Sequence, residues 1–337
     1  MIIVMQAGAS EAQIESVVKR VKQLGYDAHI SKGEERTVIG CVGHADKSPL
    51  QQLAATPGVE SVVPILKPWK LVGRQFKPES TVIDVDGELI GGDRIALMAG
   101  PCSVETEERT VEIARAVKAA GARFLRGGAF KPRTSPYAFQ GLEREGLEIL
   151  RAAKRETGLR IVTELLSVRD IELVCEYTDI IQIGARNCQN FALLKELGGT
   201  GKPVLFKRGM STTLKEYLQA AEYIVAGGNP DVMLCERGIR TFEDSTRNTF
   251  DLNAVALLKQ WSHLPMIADP SHGTGIWSLV APMAAASVAA GADGLIIEVH
   301  TEPEQAWSDG QQSLRPDKFQ ALVEQCRRVA EAVGRSL

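Results

Sequence analysis

The chain has 337 residues, 44% of them hydrophobic and 24% charged, the balance of an ordinary folded protein, which excludes an extended disordered chain. Its net charge of −3 gives no global basis for nucleic-acid binding, so any preference for anions has to come from local clusters of cations. The apolar opening Met1 to Met5 is too short for a signal-peptide core and has no basic region before it. A later Ala-rich stretch is broken by Pro282 and Asp293, so a cytoplasmic protein without a membrane partner is expected. Six cysteines, at 41, 102, 175, 188, 235 and 326, include no CxxC pair and read as small buried thiols.

Ile2-Ile3-Val4-Met5 predicts a short strand. Ser10 and Gln13 form a capping-box pattern, Ile14, Val17, Val18, Val21 and Leu24 follow at helical spacing, and Gly25 is placed to stop the helix. Asp27 to Ser31 and Thr37 to Val42 predict strands around a Lys32-Gly33-Glu34 turn, Leu50 to Ala55 a short helix, and Val59 to Ile65 a last strand. That order is the order of a ferredoxin-like split βαβ unit, spanning residues 1–66. So small a unit with no obvious nucleophile is not expected to be catalytic. Pro68, Gly73 and Pro78 punctuate an expected linker, 67–80. Beyond it, Thr81 to Val85 and Glu88 to Ile90 flank Asp86-Gly87, a strong hairpin signal, and this hairpin is expected to plug the lower end of the domain that follows.

Residues 81–337 read as an α/β domain. Strand-like runs at Ile95–Ala99, Phe124–Gly128, Ile161–Glu164, Ile180–Gly184, Val204–Lys207, Val232–Cys235, Met266–Asp269 and Leu295–Val299 are separated by helical stretches such as Val111 to Ala120, Leu147 to Lys154, Leu214 to Ile224 and Phe319 to Val333. Eight such units predict a (β/α)8 TIM barrel, in which the C-terminal ends of the strands converge on one mouth. Cys102, Arg126, Lys131, Glu164, Arg186, Lys207, Arg237, His272 and Glu298 all fall at or just past those ends. Strand alternation puts Gln182, Gly184 and Arg186 on one face, Met233, Cys235 and Arg237 on one, and Glu298 and His300 on one. In Leu205-Phe206-Lys207-Arg208 only one of the two adjacent cations points inward, and alternation alone leaves the choice open.

Two chemical groups stand out. Arg126, Lys131, Arg133, Arg186, Lys207 and Arg237 would crowd positive charge around one mouth, where unneutralised cations repel one another and resist desolvation. They predict a polyanionic ligand, and phosphate suits them, because Arg binds it through paired hydrogen bonds and Lys as a point charge. Any one of these cations, taken singly, reads more simply as a solvated surface residue. Cys102, His272, Glu298 and Asp309 form the second group, from the first, seventh and eighth strand ends and the loop that follows. A thiolate, an imidazole and carboxylates suit a divalent transition ion: iron, cobalt or zinc by softness, with manganese admitted by the carboxylates. Glu302, Glu304 and Asp309 share that last loop, so the residues alone leave the fourth ligand open. Singly, Cys102 reads as a buried thiol and His272 as a hydrogen-bonded loop residue; their convergence favours the metal reading.

Leu97-Met98-Ala99-Gly100-Pro101-Cys102-Ser103-Val104-Glu105, Arg126-Gly127-Gly128-Ala129-Phe130-Lys131-Pro132-Arg133-Thr134-Ser135-Pro136, Ile183-Gly184-Ala185-Arg186-Asn187, Phe206-Lys207-Arg208-Gly209 and Asp269-Pro270-Ser271-His272 closely resemble 3-deoxy-D-arabino-heptulosonate 7-phosphate (DAHP) synthase of the type I beta group, which carries an N-terminal ferredoxin-like domain. The likeness covers essentially the whole chain. The related 3-deoxy-manno-octulosonate 8-phosphate synthases share the Gly-Pro-Cys start but carry a Lys-Ala-Asn-Arg-Ser pattern where this chain has Lys131-Pro132-Arg133-Thr134-Ser135.

The resemblance implies condensation of phosphoenolpyruvate with erythrose 4-phosphate at the head of aromatic amino-acid synthesis. It assigns Arg126, Lys131, Ala185, Arg186, Lys207 and Arg237 to phosphoenolpyruvate, and Lys131, Pro132, Arg133, Thr134 and Ser135 to the aldose phosphate. Cys102, His272, Glu298 and Asp309 would hold a divalent metal, manganese before iron, cobalt or zinc. Lys131, Cys102 and His272 are the expected catalytic residues, with Lys131 as a proton carrier, and Glu164, Gln182 and His300 are further polar substrate contacts. In the family such N-terminal domains can bind aromatic end products and close over the barrel mouth. His29 and Ser31 fall where a tyrosine or phenylalanine effector would touch, although they read equally well as residues of an assembly surface. A homotetramer is expected. Two other readings are an octulosonate-phosphate synthase using arabinose 5-phosphate and an amino-acid-sensing partner without catalysis.

Overall fold

The structure is a computed structural model that describes residues 1–337 apart from 34–35, 44–46, 65–66 and 134. It divides into two compact units, residues 1–80 with 260–263, and residues 81–259 with 264–337.

In the first unit, β1 (Ile2–Met5), α1 (Glu11–Gln23), β2 (Asp27–Lys32), β3 (Thr37–Val42), α2 (Ser48–Gln51, continued by a 3₁₀ turn to Ala55) and β4 (Val59–Val63) follow the expected order. The sheet is antiparallel in the order β2-β3-β1-β4, with Ile2 opposite both Gly40 and Val63. Ser10 and Gln13 do form the capping box that starts α1. Ile14, Val17 and Val21 of the helix pack with Ile3, Met5, Ile39, Cys41 and Leu50. The Lys32-Gly33-Glu34 turn and the far end of the last predicted strand run into residues outside the described ones.

Segment 67–80 is not a free linker, as the prolines and glycine suggested, but part of this unit. Trp69, Leu71, Val72 and Phe76 are all buried, and a Cβ at Gly40 would stand 2.7 Å from the Phe76 ring. The punctuation marked changes of direction, while the apolar side chains between them decided burial.

The second unit opens with the hairpin β5 (Ile83–Val85) and β6 (Glu88–Ile90). Asp86 and Gly87 both have positive φ, +50° and +86°, as a two-residue hairpin turn requires. The barrel strands are β7 (Ala96–Gly100), β8 (Phe124–Arg126), β9 (Arg160–Glu164), β10 (Ile180–Ile183), β11 (Val204–Lys207), β12 (Val232–Glu236), β13 (Met266–Ala268) and β14 (Gly294–Glu298). Between them run α3 (Glu107–Ala119), α4 (Glu143–Thr157), α5 (Ile171–Tyr177), α6 (Phe191–Leu197), α7 (Leu214–Ala226), α8 (Leu252–Trp261), then α9 (Pro270–Thr274) and α10 (Trp277–Ala289), and α11 (Pro316–Ala332) closes the chain. Every neighbouring pair is parallel, and β14 pairs with β7 to close the ring. The interior is filled by Ala96, Met98, Phe124, Val162, Ile180, Leu205, Met233, Cys235, Ile267 and Ile296, and Ile83, Val85 and Ile90 of the hairpin join the same cluster. The hairpin is thus part of the barrel core, as a plug should be. No described helix is long and apolar enough to cross a membrane.

Candidate active site

The apolar interior turns polar within one step of strand alternation. Two residues beyond interior Phe124, Val162, Ile180, Leu205, Cys235, Ile267 and Ile296 stand Arg126, Glu164, Gln182, Lys207, Arg237, Asp269 and Glu298. Side chains two apart share a face, so the parity that packs the barrel delivers a ring of ionisable and amide groups to its C-terminal rim. That parity also separates Lys207 from Arg208. Lys207 points inward to Asp269, Nζ to Oδ2 2.5 Å, whereas Arg208 points outward to Glu236 and Asp251, at 2.9 Å each.

Above this ring lies a cavity of about 170 Å³, lined by Arg126, Lys131, Pro132, Arg133, Glu164, Gln182, Gly184, Ala185, Arg186, Lys207, Arg237, Arg247, His272 and Asp309. Seven lining cations outnumber the two lining carboxylates even with Asp269 and Glu298 paired to Lys207 and Arg126, so the expected cationic mouth is present with cations in excess. Of the residues expected to bind substrate, Thr134 lies outside the described residues, and Ser135 is exposed and does not line the cavity. His300 does not line it either: its Nε2 lies 3.2 Å from Glu105 Oε2 and its Nδ1 accepts the Glu302 N–H. Strand parity does turn His300 to the side of Glu298, but the chain has left the strand by then, and the Glu105 carboxylate is the nearer partner. His29 and Ser31 sit half-buried on β2 opposite Gly40 and Val38. Burial lowers the His29 pKa against the pull of Asp27.

Cys102, His272, Glu298 and Asp309 come together on one arc of the rim because β14 lies between β13 and β7. The Cys102 thiol points at Asp309 Oδ2, 3.1 Å away, and accepts from Lys131 Nζ at 3.1 Å. Glu298 Oε1 is 3.4 Å from His272 Nε2 and 3.3 Å from Arg126. Glu302 is drawn to Arg109 and Glu304 to Arg315, which leaves Asp309 as the loop's carboxylate at the site. Two buried atoms here, His272 Nδ1 and Glu298 Oε1, have charged neighbours but no aligned hydrogen-bond partner. In this conformation no three of the described His, Cys, Asp and Glu side chains converge on one point.

The environment sets the charge states. Burial, reinforced by Glu298, pushes the Cys102 thiol up to about 12 despite Lys131, so the thiol keeps its proton. Burial pushes His272 down against Asp269 and Glu298. Burial opposes ionisation of Asp269 and Asp309, but His272 and Lys207 in the first case, and Arg247 and the Cys102 thiol in the second, more than reverse it and hold both carboxylates well below the usual range.

Two contributors escaped the sequence reading as site residues. Asp269 accepts the His272 backbone N–H as the cap of α9 while its other oxygen faces Lys207; its parity with Ile267 was the available signal. Arg247 comes from the 238–250 loop and reaches Asp309 at 3.3 Å and Gln312 at 2.7 Å. No strand periodicity governs that loop, so nothing in the sequence aimed Arg247 inward.

A family model described as the DAHP synthetase I family matches residues 75–334, and one described as the DAHP synthase ferredoxin-like domain matches residues 1–67. The chain belongs to the DAHP synthetase I family. A phospho-2-dehydro-3-deoxyheptonate aldolase of Thermotoga maritima is 51% identical over 334 residues, 99% of each chain. A 2-dehydro-3-deoxyphosphooctonate aldolase of Syntrophotalea carbinolica is 33% identical over 253 residues, 70% of this chain and 90% of that one. The crystal structure of DAHP synthase from Thermotoga maritima aligns with a TM-score of 0.79 at 50% identity, over 99% of this chain and 98% of its own. A truncated form of the Thermotoga enzyme aligns with a TM-score of 0.74, over 79% of this chain and 98% of its own.

Proposed function

We propose that this protein condenses phosphoenolpyruvate with D-erythrose 4-phosphate and water to give DAHP and inorganic phosphate, opening the shikimate pathway. The observation that carries the reading is the cavity whose lining holds Arg126, Lys131, Arg133, Arg186, Lys207, Arg237 and Arg247, more cations than Glu164, Asp309 and the buried partners Asp269 and Glu298 can neutralise. Two phosphorylated substrates, one also a carboxylate, supply the negative charge such a mouth needs. Full-length likeness to the Thermotoga enzyme and the Lys131-Pro132-Arg133-Thr134-Ser135 segment favour the four-carbon sugar over arabinose 5-phosphate.

In this reading Arg126, Arg186, Lys207 and Arg237, with Ala185, hold the phosphate and carboxylate of phosphoenolpyruvate, and Glu164 and Gln182 orient it. Arg133 and Thr134 hold the aldose phosphate, with Pro132 shaping the wall beside them; Ser135, which does not line the cavity, has no part in this. Carbon 3 of the enol phosphate attacks the aldehyde carbon, water adds at carbon 2, and the bond from carbon 2 to the phosphate oxygen breaks. Fixed cations limit the drift of both reactants and stabilise the charge that moves from carbon 2 to the departing phosphate. Lys131, buried beside Cys102, carries a proton to the new hydroxyl oxygen.

The thiol, imidazole and two carboxylates of Cys102, His272, Glu298 and Asp309 form a donor set suited to a divalent ion, manganese first and iron, cobalt or zinc as alternatives, and the unaligned Glu298 Oε1, 3.4 Å from His272 Nε2, supports that use. An ion held there would act as a Lewis acid on the aldehyde oxygen. Binding there would require the Cys102 thiol to lose its proton, so occupancy should rise with pH.

The test is phosphate release from phosphoenolpyruvate with erythrose 4-phosphate or arabinose 5-phosphate, before and after EDTA treatment and manganese readdition. Metal-dependent release with the four-carbon sugar is expected. Release only with the five-carbon sugar would move the protein to the octulosonate-phosphate group, and release with neither would favour a sensing role. Full activity of Cys102→Ala with added manganese would remove Cys102 from the metal set. Regulation by tyrosine or phenylalanine through His29 and Ser31, in a homotetramer, belongs to the same reading. Inhibition that survives deletion of residues 1–66 would end the regulatory part, and a sedimentation mass other than four chains the tetramer.

A further inference from the structure

We propose that Glu105 is a positioning residue that holds the loop 300–309 against the barrel rim and, through it, the aldose-phosphate side of the site. This inference rests on the function proposed above. Glu105 is buried and absent from the cavity lining, and none of the roles above uses it. Its carboxylate joins both ends of the loop: Oε1 accepts the Trp307 N–H at 2.8 Å and Oε2 faces His300 Nε2 at 3.2 Å. Arg109, in the first turn of α3, lies 3.5 Å from Oε2 and also pairs with Glu302 inside the loop.

What the loop carries explains why its position matters. Ser308 accepts from Arg133 at 2.5 Å and sits 3.3 Å from the Cys102 sulfur, while Asp309 accepts from Cys102 and pairs with Arg247. Trp307 meets Phe139 edge-on, with ring centroids 5.1 Å apart, and Phe139 offers its carbonyl to Arg133. Arg133 is thus gripped twice by structure that depends on the loop. Arg186, Lys207 and Arg237 come from other strand ends and have no such link.

The position demands a carboxylate. His300 Nδ1 accepts the Glu302 N–H, so Nε2 carries the proton and donates to Glu105. Trp307 N–H, His300 Nε2–H and the Arg109 guanidinium are all donors, and an amide at 105 must turn its own NH₂ toward one of them. Glu105→Gln, equal in shape, therefore tests the chemistry without opening a cavity.

In Glu105→Gln the KM for erythrose 4-phosphate should rise about tenfold while the KM for phosphoenolpyruvate stays within about twofold, the scale of losing an outer support of a site. Backbone hydrogen exchange, followed by mass spectrometry, should accelerate in peptides covering 301–311 and not in the barrel strands, a readout independent of activity. Adding Ser308→Ala to Glu105→Gln should cost little beyond the worse single change, because both act along one chain of contacts. Equal rises in both KM values, unchanged exchange over 301–311, or additive single effects overturn the proposal. A wild-type protein inactive with both sugars counts against the proposed function, whereas an active wild type with an unaltered Glu105→Gln variant overturns the role of Glu105.

Discussion

Replacing Lys207 by Met should separate the stability role of the Lys207–Asp269 pair from its role in catalysis. Both side chains are almost wholly buried and 2.5 Å apart, so removing the ammonium leaves a buried ionised carboxylate without its cationic partner. Breaking a buried pair from one side costs about 3–5 kcal/mol. Asp269 keeps the His272 N–H at 3.0 Å, with the unaligned His272 Nδ1 2.8 Å away, which argues for the lower end, about 3 kcal/mol. At roughly 2–4 °C per kcal/mol for a domain of this size, scanning calorimetry should show the barrel transition about 6–12 °C lower. Adding Asp269→Asn removes the stranded charge yet keeps an oxygen for the His272 N–H, so the double variant should regain at least half the loss while remaining inactive. A single variant melting within about 2 °C of wild type, or a double variant less stable than the single one, would refute the reasoning.

The hairpin plug gives a second prediction: Ile90→Ala, at a fully buried position of the barrel cluster, should cost about 3 kcal/mol, and Leu89→Ala, 53% exposed next to it, under about 0.5 kcal/mol in urea unfolding. Equal costs would mean that the hairpin does not plug the barrel. A third concerns pH. Burial pushes His263 down to about 4 from 6.5, against the Leu71 carbonyl 2.7 Å from its Nε2. The unfolded chain therefore binds the proton first on acidification, and the first unit keeps this contribution above about pH 6.5 and loses up to about 3 kcal/mol as pH falls through 4. His263→Gln should flatten the acid slope of its melting temperature between those values, and an unchanged slope would refute the assignment.

Much of the architecture was legible in the residues because periodicity is a local property. Strand-like apolar runs separated by helical stretches placed all eight barrel strands within a residue or two, and the capping box at Ser10 and the Asp86-Gly87 turn formed as read. The same parity carried Arg237 and Glu298 to one rim, since a closed ring of parallel strands turns sequence alternation into an inside and an outside, whereas the choice of Lys207 over Arg208 waited for the fold. Tertiary structure alone decided the rest. Only packing showed that 67–80 is buried through Trp69, Leu71 and Phe76, because prolines and glycines report direction and not solvent. The residues alone left Glu302, Glu304 and Asp309 as equals and the family resemblance named Asp309; only the folded loop drew Glu302 and Glu304 to Arg109 and Arg315 and brought Asp309 to Cys102, and only that fold turned His300 to Glu105 and aimed Arg247 at the site. Those residues lie in loops, where no hydrogen-bond ladder imposes a repeat, so the direction of a side chain is set by partners far away in the chain.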